Sequence, residues 1–269
     1  MSGIAGQGCP RIVPEEEKKT LEEIERSLVK KYRKPIWSKF IKAIKEYKLV
    51  EEGDKIAVAI SGGKDSLLMA KMFQELQKHG QVKFDLVFLA MDPGYHKNIR
   101  QLLEENCEYL NIPLTIFDTN IFDVAGEIAE DYPCYMCARM RRGALYNKAE
   151  ELGCNKLALG HHFDDAVQTF FMNLFYGGKI GCFSPMSYLS RKDLYLIRPM
   201  VFCEESKVES AAQRYHLPVV KSECPVDGHT CRQSTQELIK DLEKQFPDLR
   251  RKVMGALQRA DIDGWGKHK

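Results

Sequence analysis

The sequence lacks a long apolar run. No stretch approaches the length of about 18 residues that a helix needs to cross a bilayer, and the first residues show no basic segment followed by an apolar one. These absences argue against a membrane span and against a secretion signal, so we expect a cytoplasmic protein with no membrane partner. Hydrophobic residues make up 44% of the 269 positions, which is sufficient for the buried core of a globular protein.

The sequence also lacks an excess of charge of one sign. Lysine and arginine total 40 against 38 aspartates and glutamates, a net charge of +2. Any contact with nucleic acid therefore requires a local basic patch. One candidate patch runs from Lys30 to Lys48, where eight cations accompany the single acid Glu46. A solvated helix face explains this patch equally well, and it is the better explanation of a smaller Arg-Arg-Lys cluster at 250–252.

The nine cysteines are an odd number in a sequence without a secretion signal. A disulfide framework is therefore not expected, and thiol chemistry or metal ligation becomes the alternative. Cys134 and Cys137 form a CxxC pair on a predicted turn after Pro133. The pair fits a redox dithiol, a corner of a zinc site or part of an iron-sulfur cluster, and spacing alone leaves zinc and iron open. The candidates for further ligands lie in the loop that contains Cys224, His229 and Cys231.

Apolar strands and amphipathic helices alternate along most of the chain. Predicted strands cover 55–60, 84–91, 114–117, 156–159 and 195–197. Predicted helices begin near 15, 35, 67, 98, 142, 165, 205, 234 and 248. This alternation indicates an α/β fold with a parallel sheet covered by helices on both faces, together with a helical amino-terminal extension and carboxyl-terminal helices.

A glycine-rich turn follows the first predicted strand. It reads Ser-Gly-Gly-Lys-Asp-Ser from Ser61 to Ser66 and leads into an apolar helix. Glycines allow close approach of the backbone to a ligand, the start of a helix favours an anion, and Lys64 adds a positive charge. The turn therefore predicts a phosphate site, although its spacing differs from that of GxxxxGK[ST] and GxGxxG loops.

A second polar segment, Gly-His-His-Phe-Asp-Asp from Gly160 to Asp165, follows a later strand. Because ligands bind at the carboxyl ends of parallel strands, we expect this segment to face the phosphate turn across one crevice, with Met91 nearby. Asp165 is a candidate Mg²⁺ ligand, since Mg²⁺ prefers one or two carboxylates together with phosphate oxygens. Capping of a helix start is the simpler explanation of the paired aspartates.

Five segments together resemble the tRNA 2-thiocytidine synthetase branch of the PP-loop ATP pyrophosphatases. In chain order they are SGGKDS, CYMCARMRRG from Cys134, LGHHFDDAVQT from Leu159, NLFYGGK from Asn173 and IRPM from Ile197. Their order and spacing match over about Pro35 to Ala260. The resemblance implies that a cytidine at position 32 of the tRNA anticodon loop becomes 2-thiocytidine, while ATP is converted to AMP and pyrophosphate through an adenylylated base.

The resemblance also implies the roles of individual residues. Cys134, Cys137 and Cys224 would hold a [4Fe-4S] cluster, and Arg141 and Asp165 would be catalytic together with Lys64. Asp165 would also be a metal ligand, for Mg²⁺. The residues expected to bind ATP are Ala59, Ser61, Gly62, Gly63, Lys64, Asp65, Ser66, Met91 and Gly160.

The expected partners are tRNA and either sulfide or a sulfur donor such as a cysteine desulfurase, and a homodimer is a candidate assembly. We divide the chain into an extension at 1–50 that is a candidate tRNA contact, a PP-loop catalytic domain with the cysteine site at 51–233, and carboxyl-terminal helices at 234–269.

Two departures from the family pattern keep alternatives open. Cys224 and Cys231 are further apart than the family's pair of cysteines, and the extension before Pro35 is longer. A uridine or another RNA is therefore an alternative target. A PP-loop amidase or ligase would not need the cysteines, and a cluster-bearing regulator would bind RNA without modifying it.

Overall fold

Six strands form a single sheet in the computed structural model, which describes residues 18–94, 97–119, 121, 133–220 and 231–266. For Lys97 and residues 133–137 it describes only the backbone. The strands are β1 (Lys55–Ala59), β2 (Asp85–Asp92), β3 (Leu114–Asp118), β4 (Lys156–Ala158), β5 (Met186–Leu189) and β6 (Leu194–Ile197).

The described ranges contain nine α-helices. They are α1 (Leu21–Val29), α2 (Ser38–Glu46), α3 (Lys64–His79), α4 (Lys97–Tyr109), α5 (Pro133–Glu151), α6 (Phe163–Phe175), α7 (Glu205–Arg214), α8 (Cys231–Gln245) and α9 (Leu249–Arg259). A π-helical turn at Arg33–Trp37 precedes α2, and a 3-10 turn at Ile262–Gly264 follows α9. No helix in these ranges has the length and apolar character to span a membrane.

The strand order is β3-β2-β1-β4-β6-β5. All neighbouring strands are parallel except β5, which is antiparallel to β6. The predicted α/β fold is confirmed, but the edge strand β5 is missing from the prediction. Its side chains are at most partly buried, so no continuous apolar run marks this strand in the sequence.

The sheet buries a different core on each face because successive side chains of a strand point to opposite sides. Ile56 and Val58 belong to the larger core, which also contains side chains of α2, α3 and α6. Ala57 belongs to the smaller core, where it lies with Ala149 of α5. The helices therefore cover both faces, as the alternating pattern predicts.

The amino-terminal helices differ in their bounds from the prediction. Thr20 caps α1 with a reciprocal capping box to Glu23, so this helix begins at Leu21 and not near Glu15. Pro35 lies inside the π-helical turn, and α2 begins only at Ser38. These helices belong to the larger core, which explains why they are ordered against the sheet domain.

Four further helices begin two or more residues earlier than the sequence predicts, and one of them is α3, which begins at Lys64 and not near residue 67. Helix α5 begins at Pro133, where a proline is favoured because its missing N–H would have no helical partner, and not near Arg142. Helix α6 begins at Phe163 and not at Asp165, and α8 begins at Cys231 and not near Ser234. The CxxC pair is therefore in the first turns of a long helix and not on an isolated turn.

The path of the chain reverses between β1 and β4. From β1 it proceeds outward through β2 and β3, and it then returns to place β4 on the other side of β1. In open α/β sheets a crevice for ligands forms outside the carboxyl ends of the two strands that flank such a reversal. The turn after β1 and the segment after β4 both lie at this point.

Candidate active site

The turn between β1 and α3 has a centre that only glycine fits. Gly62 has a φ of +79°, in the region that other residues rarely adopt. A Cβ at Gly62 would lie 3.0 Å from Cβ of Val220 and 3.1 Å from Cδ1 of Leu103. The amide of Val220 donates a hydrogen bond to the carbonyl oxygen of Gly62 at 3.0 Å. The packing around this glycine therefore determines the shape of the turn.

Two serines join the ends of the turn. Ser66 Oγ accepts a hydrogen bond from the amide of Ser61 at 3.2 Å and donates one to the carbonyl oxygen of Gly63 at 2.9 Å. Gly63 is the N-cap of α3 and provides no capping side chain. The first amides of α3 are thus available to an anion, which the helix dipole also attracts. A helix start of this kind can bind phosphate or pyrophosphate.

Lys64 contacts two carboxylates at this helix start. Its Nζ lies 3.1 Å from Oδ2 of Asp65 and 3.2 Å from Oε1 of Glu205. Burial alone would lower the pKa of Lys64, but the two carboxylates outweigh burial and raise the pKa above its ordinary value. Lys64 therefore carries a full positive charge at neutral pH, and both neighbouring carboxylates compete with any phosphate for it.

One carboxylate oxygen of Asp65 is buried at this turn without a hydrogen-bond donor from the described residues. Burial raises the pKa of its carboxyl group, and the positive charge of Lys64 opposes that effect. Its Oδ1 is buried and accepts no hydrogen bond from the described residues. An unsatisfied buried carboxylate oxygen costs free energy unless a cation or donor binds to it. Asp65 is consequently a candidate ligand for a cation at the phosphate turn.

The segment after β4 packs directly on the phosphate turn. A Cβ at Gly160 would lie 3.5 Å from the carbonyl carbon of Asp65 and from the amide nitrogen of Ser66. His162 then caps α6, because its Nδ1 accepts a hydrogen bond from the amide of Asp165 while Oδ2 of Asp165 accepts one from the amide of His162 at 2.9 Å. This reciprocal cap explains why α6 begins two residues before Asp165.

The two aspartates of this segment have different partners. Asp164 is buried, its Oδ2 accepts a hydrogen bond from the amide of Glu205 at 2.6 Å, and its other oxygen pairs with Arg250. Oδ1 of Asp165 instead accepts a hydrogen bond from Nη1 of Arg232 at 2.8 Å. Asp164 therefore joins the starts of α6, α7 and α9. Asp165 is engaged by Arg232 and by its own helix cap.

A buried cation lies at the end of β6. Arg198 is 8% exposed, its guanidinium carbon is 5.0 Å from the ring centre of Phe183, and Nη1 donates to the carbonyl oxygen of Ser184 at 2.6 Å. Burial lowers the pKa of Arg198 to about 10, so it stays charged at neutral pH. Within the described ranges, the other groups that influence the pKa of Arg198 are Tyr146, Cys182 and Arg142, none of which is a carboxylate.

His161 lies between this cation and the phosphate turn. Its ring centre is 5.1 Å from that of Phe183, the same ring that Arg198 contacts. Burial lowers the pKa of His161 to about 4, with a further contribution from Arg198, so the imidazole is neutral at neutral pH. The carboxyl edge thus runs from the phosphate turn through a neutral histidine to a buried arginine.

The structure brings most of the predicted nucleotide-binding residues to one crevice. Ser61 to Ser66 and Gly160 lie at the carboxyl ends of β1 and β4, and Ala59 is the last residue of β1. Met91 is buried in neighbouring β2. Arg141 is half-buried on α5, a helix that contacts β2 and β4.

The predicted cysteine ligands fall largely outside the described residues. Cys134 and Cys137 lie in the first turns of α5, where only the backbone is described, and Cys224 and His229 lie outside the described ranges. Cys231 is exposed at the first position of α8. Cys107 and Cys154 are buried free thiols.

Sequence reasoning missed Glu205, Arg232 and Arg198 as residues of this edge. Glu205 and Arg232 each belong to a helix with many other charges, so neither stands out in the sequence. Arg198 lies inside the IRPM segment, and an arginine between apolar residues at the end of a strand was the available signal.

The PP-loop domain family model matches residues 33–238. The chain is 37% identical over 224 residues to a tRNA-cytidine(32) 2-sulfurtransferase of Saccharophagus degradans, covering 81% of this chain and 71% of the relative. A protein of the same name from Syntrophotalea carbinolica is 37% identical over 220 residues, covering 80% and 85%. Another from Yersinia pseudotuberculosis is 32% identical over 259 residues, covering 94% and 82%.

A solved structure is also similar. The U34-tRNA thiolase from Methanococcus maripaludis, determined with its [4Fe-4S] cluster, superposes with a TM-score of 0.66 at 26% identity. The match covers 83% of this chain and 77% of the thiolase.

Proposed function

This chain belongs to the PP-loop domain family, as do the tRNA-cytidine(32) 2-sulfurtransferases to which it is similar, and we propose that it is an ATP-dependent tRNA sulfurtransferase. Its proposed product is 2-thiocytidine at position 32 of the anticodon loop. One structural observation carries the proposal: Gly160 packs on Asp65 and Ser66, so the phosphate turn and the GHHFDD segment share one crevice.

ATP is proposed to bind with its β and γ phosphates at the start of α3. The uncapped amides of this helix and the charge of Lys64 favour a pyrophosphate group there. Ala59, Met91 and Gly160 would line the adjoining part of the crevice. Binding requires Lys64 to exchange a carboxylate partner for phosphate oxygens.

Mg²⁺ is proposed to bind beside these phosphates. Among the described residues, no three His, Cys, Asp or Glu side chains are arranged to hold a metal ion, so the phosphates would complete its ligand set. Asp65 fits a role as ligand because its Oδ1 is buried without a partner. Asp165 would have to release Arg232 to serve as a second ligand.

The cysteines are proposed to hold an iron-sulfur cluster. Three thiolates from Cys134, Cys137 and Cys224 are a donor set that suits a [4Fe-4S] cluster with one iron free of protein ligands. When bound, the cluster would supply a position at which sulfide is held. Support comes from the thiolase with its cluster, to which this chain is similar at 26% identity.

The proposed chemistry divides one substitution into two steps. The carbonyl oxygen of the target base forms a bond to the α phosphorus of ATP, and the bond to pyrophosphate breaks. Sulfide then forms a bond to the same base carbon, and the carbon–oxygen bond breaks as AMP leaves. Lys64 and Arg141 would neutralise the departing pyrophosphate, and the closed crevice would exclude water from the activated base.

The remaining parts of the proposal concern organisation and partners. We propose an extension at 1–50, a catalytic domain at 51–233 and carboxyl-terminal helices at 234–269. Sulfide or a donor such as a cysteine desulfurase would supply the sulfur, in the cytoplasm, and a homodimer is the assembly to test.

Mass spectrometry of nucleosides tests this proposal. The protein with a reconstituted cluster is incubated anaerobically with ATP, Mg²⁺, sulfide and tRNA, and the tRNA is then digested. Thiolated cytidine is the expected product. Thiolated uridine would retain the chemistry and change the target, as in the U34-tRNA thiolase. No sulfur in any base, with the cluster's absorbance intact, would overturn the proposal.

Two cysteine variants separate the alternatives. Cys134→Ser should abolish thiolation, whereas Cys231→Ser, at an exposed position of α8, serves as the matched control. An amidase or ligase would show undiminished formation of its product in Cys134→Ser. A regulator that only binds RNA would form no AMP with any substrate.

A further inference from the structure

Two basic segments that are far apart in the sequence lie side by side in the fold. The carboxyl ends of α2 and α9 are joined by a hydrogen bond from Nε2 of Gln258 to Oε1 of Glu46 at 3.3 Å. The hydroxyl of Tyr47 also donates to the carbonyl oxygen of Trp265 at 3.2 Å, just beyond α9. The side of α2 that carries Glu46 therefore lies next to α9.

The same two helices contact the segment that follows β6. Lys42 Nζ lies 4.2 Å from the ring centre of Phe202, and Arg251 of α9 pairs with Glu204 at 3.2 Å. Between them, the carbonyl oxygen of Cys203 accepts a hydrogen bond from the amide of Phe163 at 3.0 Å, at the start of α6. The two helices thus border the carboxyl edge that contains the proposed active site.

Four cations on these helices have no acidic partner among the described residues. Lys39 and Lys45 of α2 and Lys252 and Arg259 of α9 are all exposed and take part in none of the ion pairs there. Lys42 differs because it pairs with Glu46 at 3.6 Å. Lys39 lies two turns before Glu46 on the side of α2 that meets α9, whereas Lys45 lies on another side, beside Leu76 and His79 of α3. Lys39, Lys252 and Arg259 therefore give the face shared by α2 and α9 a local positive charge that the net charge of the whole chain conceals.

We propose that Lys39, Lys252 and Arg259, called here the basic face, bind the phosphodiester backbone of the substrate RNA. This inference rests on the proposed function and adds the surface that positions the tRNA beside the crevice. Contacts to phosphates hold an RNA in register without reading its bases. The basic face therefore contributes affinity and orientation, and the choice of base belongs to the crevice.

An RNA backbone fits this face better than an acidic protein does. A protein interface normally has an apolar centre surrounded by a polar rim. The large apolar side chains that are exposed in the described part of the chain lie on other elements, such as Phe175 and Tyr176 at the end of α6. Long cationic side chains without such a centre match a polyanion, which is bound mainly through release of counterions.

Titration of tRNA at several salt concentrations tests the basic face. The variants are Lys39→Gln, Lys252→Gln with Arg259→Gln, and the combination of all three. Glutamine keeps the length and helix propensity of the side chain while removing its charge. The control pair is Lys83→Gln with Arg191→Gln, two exposed cations that lie before β2 and between β5 and β6.

The pair Lys252→Gln with Arg259→Gln should weaken tRNA binding about tenfold at moderate salt and reduce the slope of log K against log salt by about 1.5 to 2. Lys39→Gln should reduce that slope by about half as much. The control pair should change neither quantity. Nucleotide binding should be unchanged in all variants, because none of the substituted residues contacts the phosphate turn.

Three results distinguish the possible failures. Equal effects of the control pair and the Lys252→Gln, Arg259→Gln pair would overturn the basic face while leaving the proposed function intact. Loss of thiolation with unchanged tRNA affinity and salt slope would also overturn it, in favour of an acidic protein partner. A wild-type protein that binds no tRNA under any condition would instead overturn the proposed function.

Discussion

Oε1 of Glu205 lies 3.2 Å from Nζ of Lys64, which joins the start of α7 to the phosphate turn. The backbone amide of the same glutamate donates to Oδ2 of Asp164 at 2.6 Å, and Asp164 pairs with Arg250 of α9. A single residue thus contacts both the phosphate-turn lysine and the buried aspartate after β4. Without ligand, the charge of Lys64 is shared between Glu205 and Asp65.

Glu205→Gln should increase the affinity for pyrophosphate. The variant removes one of the two carboxylates that compete with phosphate for Lys64. A half-buried ion pair contributes about 1 kcal/mol, and pyrophosphate would no longer have to break it, so its Kd should fall about fivefold. Calorimetric titration with pyrophosphate measures the change, with Glu209→Gln, one turn further along α7, as the control. Weaker binding in Glu205→Gln would mean that Glu205 assists the ligand.

Gly62→Ala should destabilise the protein more than Gly178→Ala. Both glycines have positive φ, a conformation that alanine disfavours, so each substitution should lower the free energy of unfolding by about 1 kcal/mol. Only at Gly62 would the new methyl group also lie 3.0 Å from Cβ of Val220, and such crowding adds about 1–3 kcal/mol. Urea unfolding measures both variants. Equal losses would show that the turn relaxes away from Val220 without cost.

Arg250→Gln should cost about 3 kcal/mol of unfolding free energy, because it leaves the buried carboxylate of Asp164 without its cationic partner. Arg251→Gln is the control at the next position. Arg251 is exposed and pairs with Glu204 on the surface, so its loss should cost less than about 1 kcal/mol. Urea unfolding compares the two, and similar costs would indicate that Asp164 finds another partner.

Glu25→Gln should destabilise the protein by about 1–3 kcal/mol at neutral pH. Glu25 of α1 accepts hydrogen bonds from Lys71 at 2.6 Å and Lys78 at 2.8 Å, and the Lys71 side chain is only 1% exposed. Burial alone would raise the pKa of Glu25, but these hydrogen bonds outweigh burial and lower it. Gln in place of Glu25 leaves the buried ammonium of Lys71 without its carboxylate.

The effect of Glu25→Gln should depend on pH. A carboxyl group whose pKa is lower in the folded protein stabilises the fold above its unfolded pKa of about 4.3, and this contribution is lost as the pH falls through the folded pKa. The difference between the wild type and Glu25→Gln should therefore be constant near neutral pH and should shrink in acid. Glu22→Gln, on the exposed side of α1, is the control. A difference that persists at low pH would contradict the assigned cause.

Much of the fold could be predicted from the sequence because its strands are locally encoded. The apolar runs that lead to Ala59 and Met91 end in polar or glycine-rich turns, and this contrast marks each strand and the direction of its carboxyl end. Strand β5 and the start of α5 lack such a contrast. β5 is only partly buried, and α5 begins at a proline followed by cysteines, which have no strong helical pattern.

The candidate site could be predicted only in part, for a related reason. Ser61 to Ser66 form a local motif whose residue types suit phosphate, so the sequence alone identified the turn. The partners of Asp164 and Lys64 come from helices that follow much later in the chain, and no local pattern specifies such long-range ion pairs. For the same reason no local pattern reveals that α2 and α9, which are far apart in the sequence, meet at their carboxyl ends.

The sequence by itself determined the α/β class, the phosphate turn and the family resemblance, because strand periodicity, glycine spacing and motif order are properties of contiguous residues. Only the tertiary structure decided that Glu205 contacts Lys64, that Arg250 reaches Asp164 and that the carboxyl ends of α2 and α9 lie side by side. These relationships depend on how helices pack around the carboxyl edge. Packing is a balance of many weak contacts among distant residues, and no single segment of the chain encodes it.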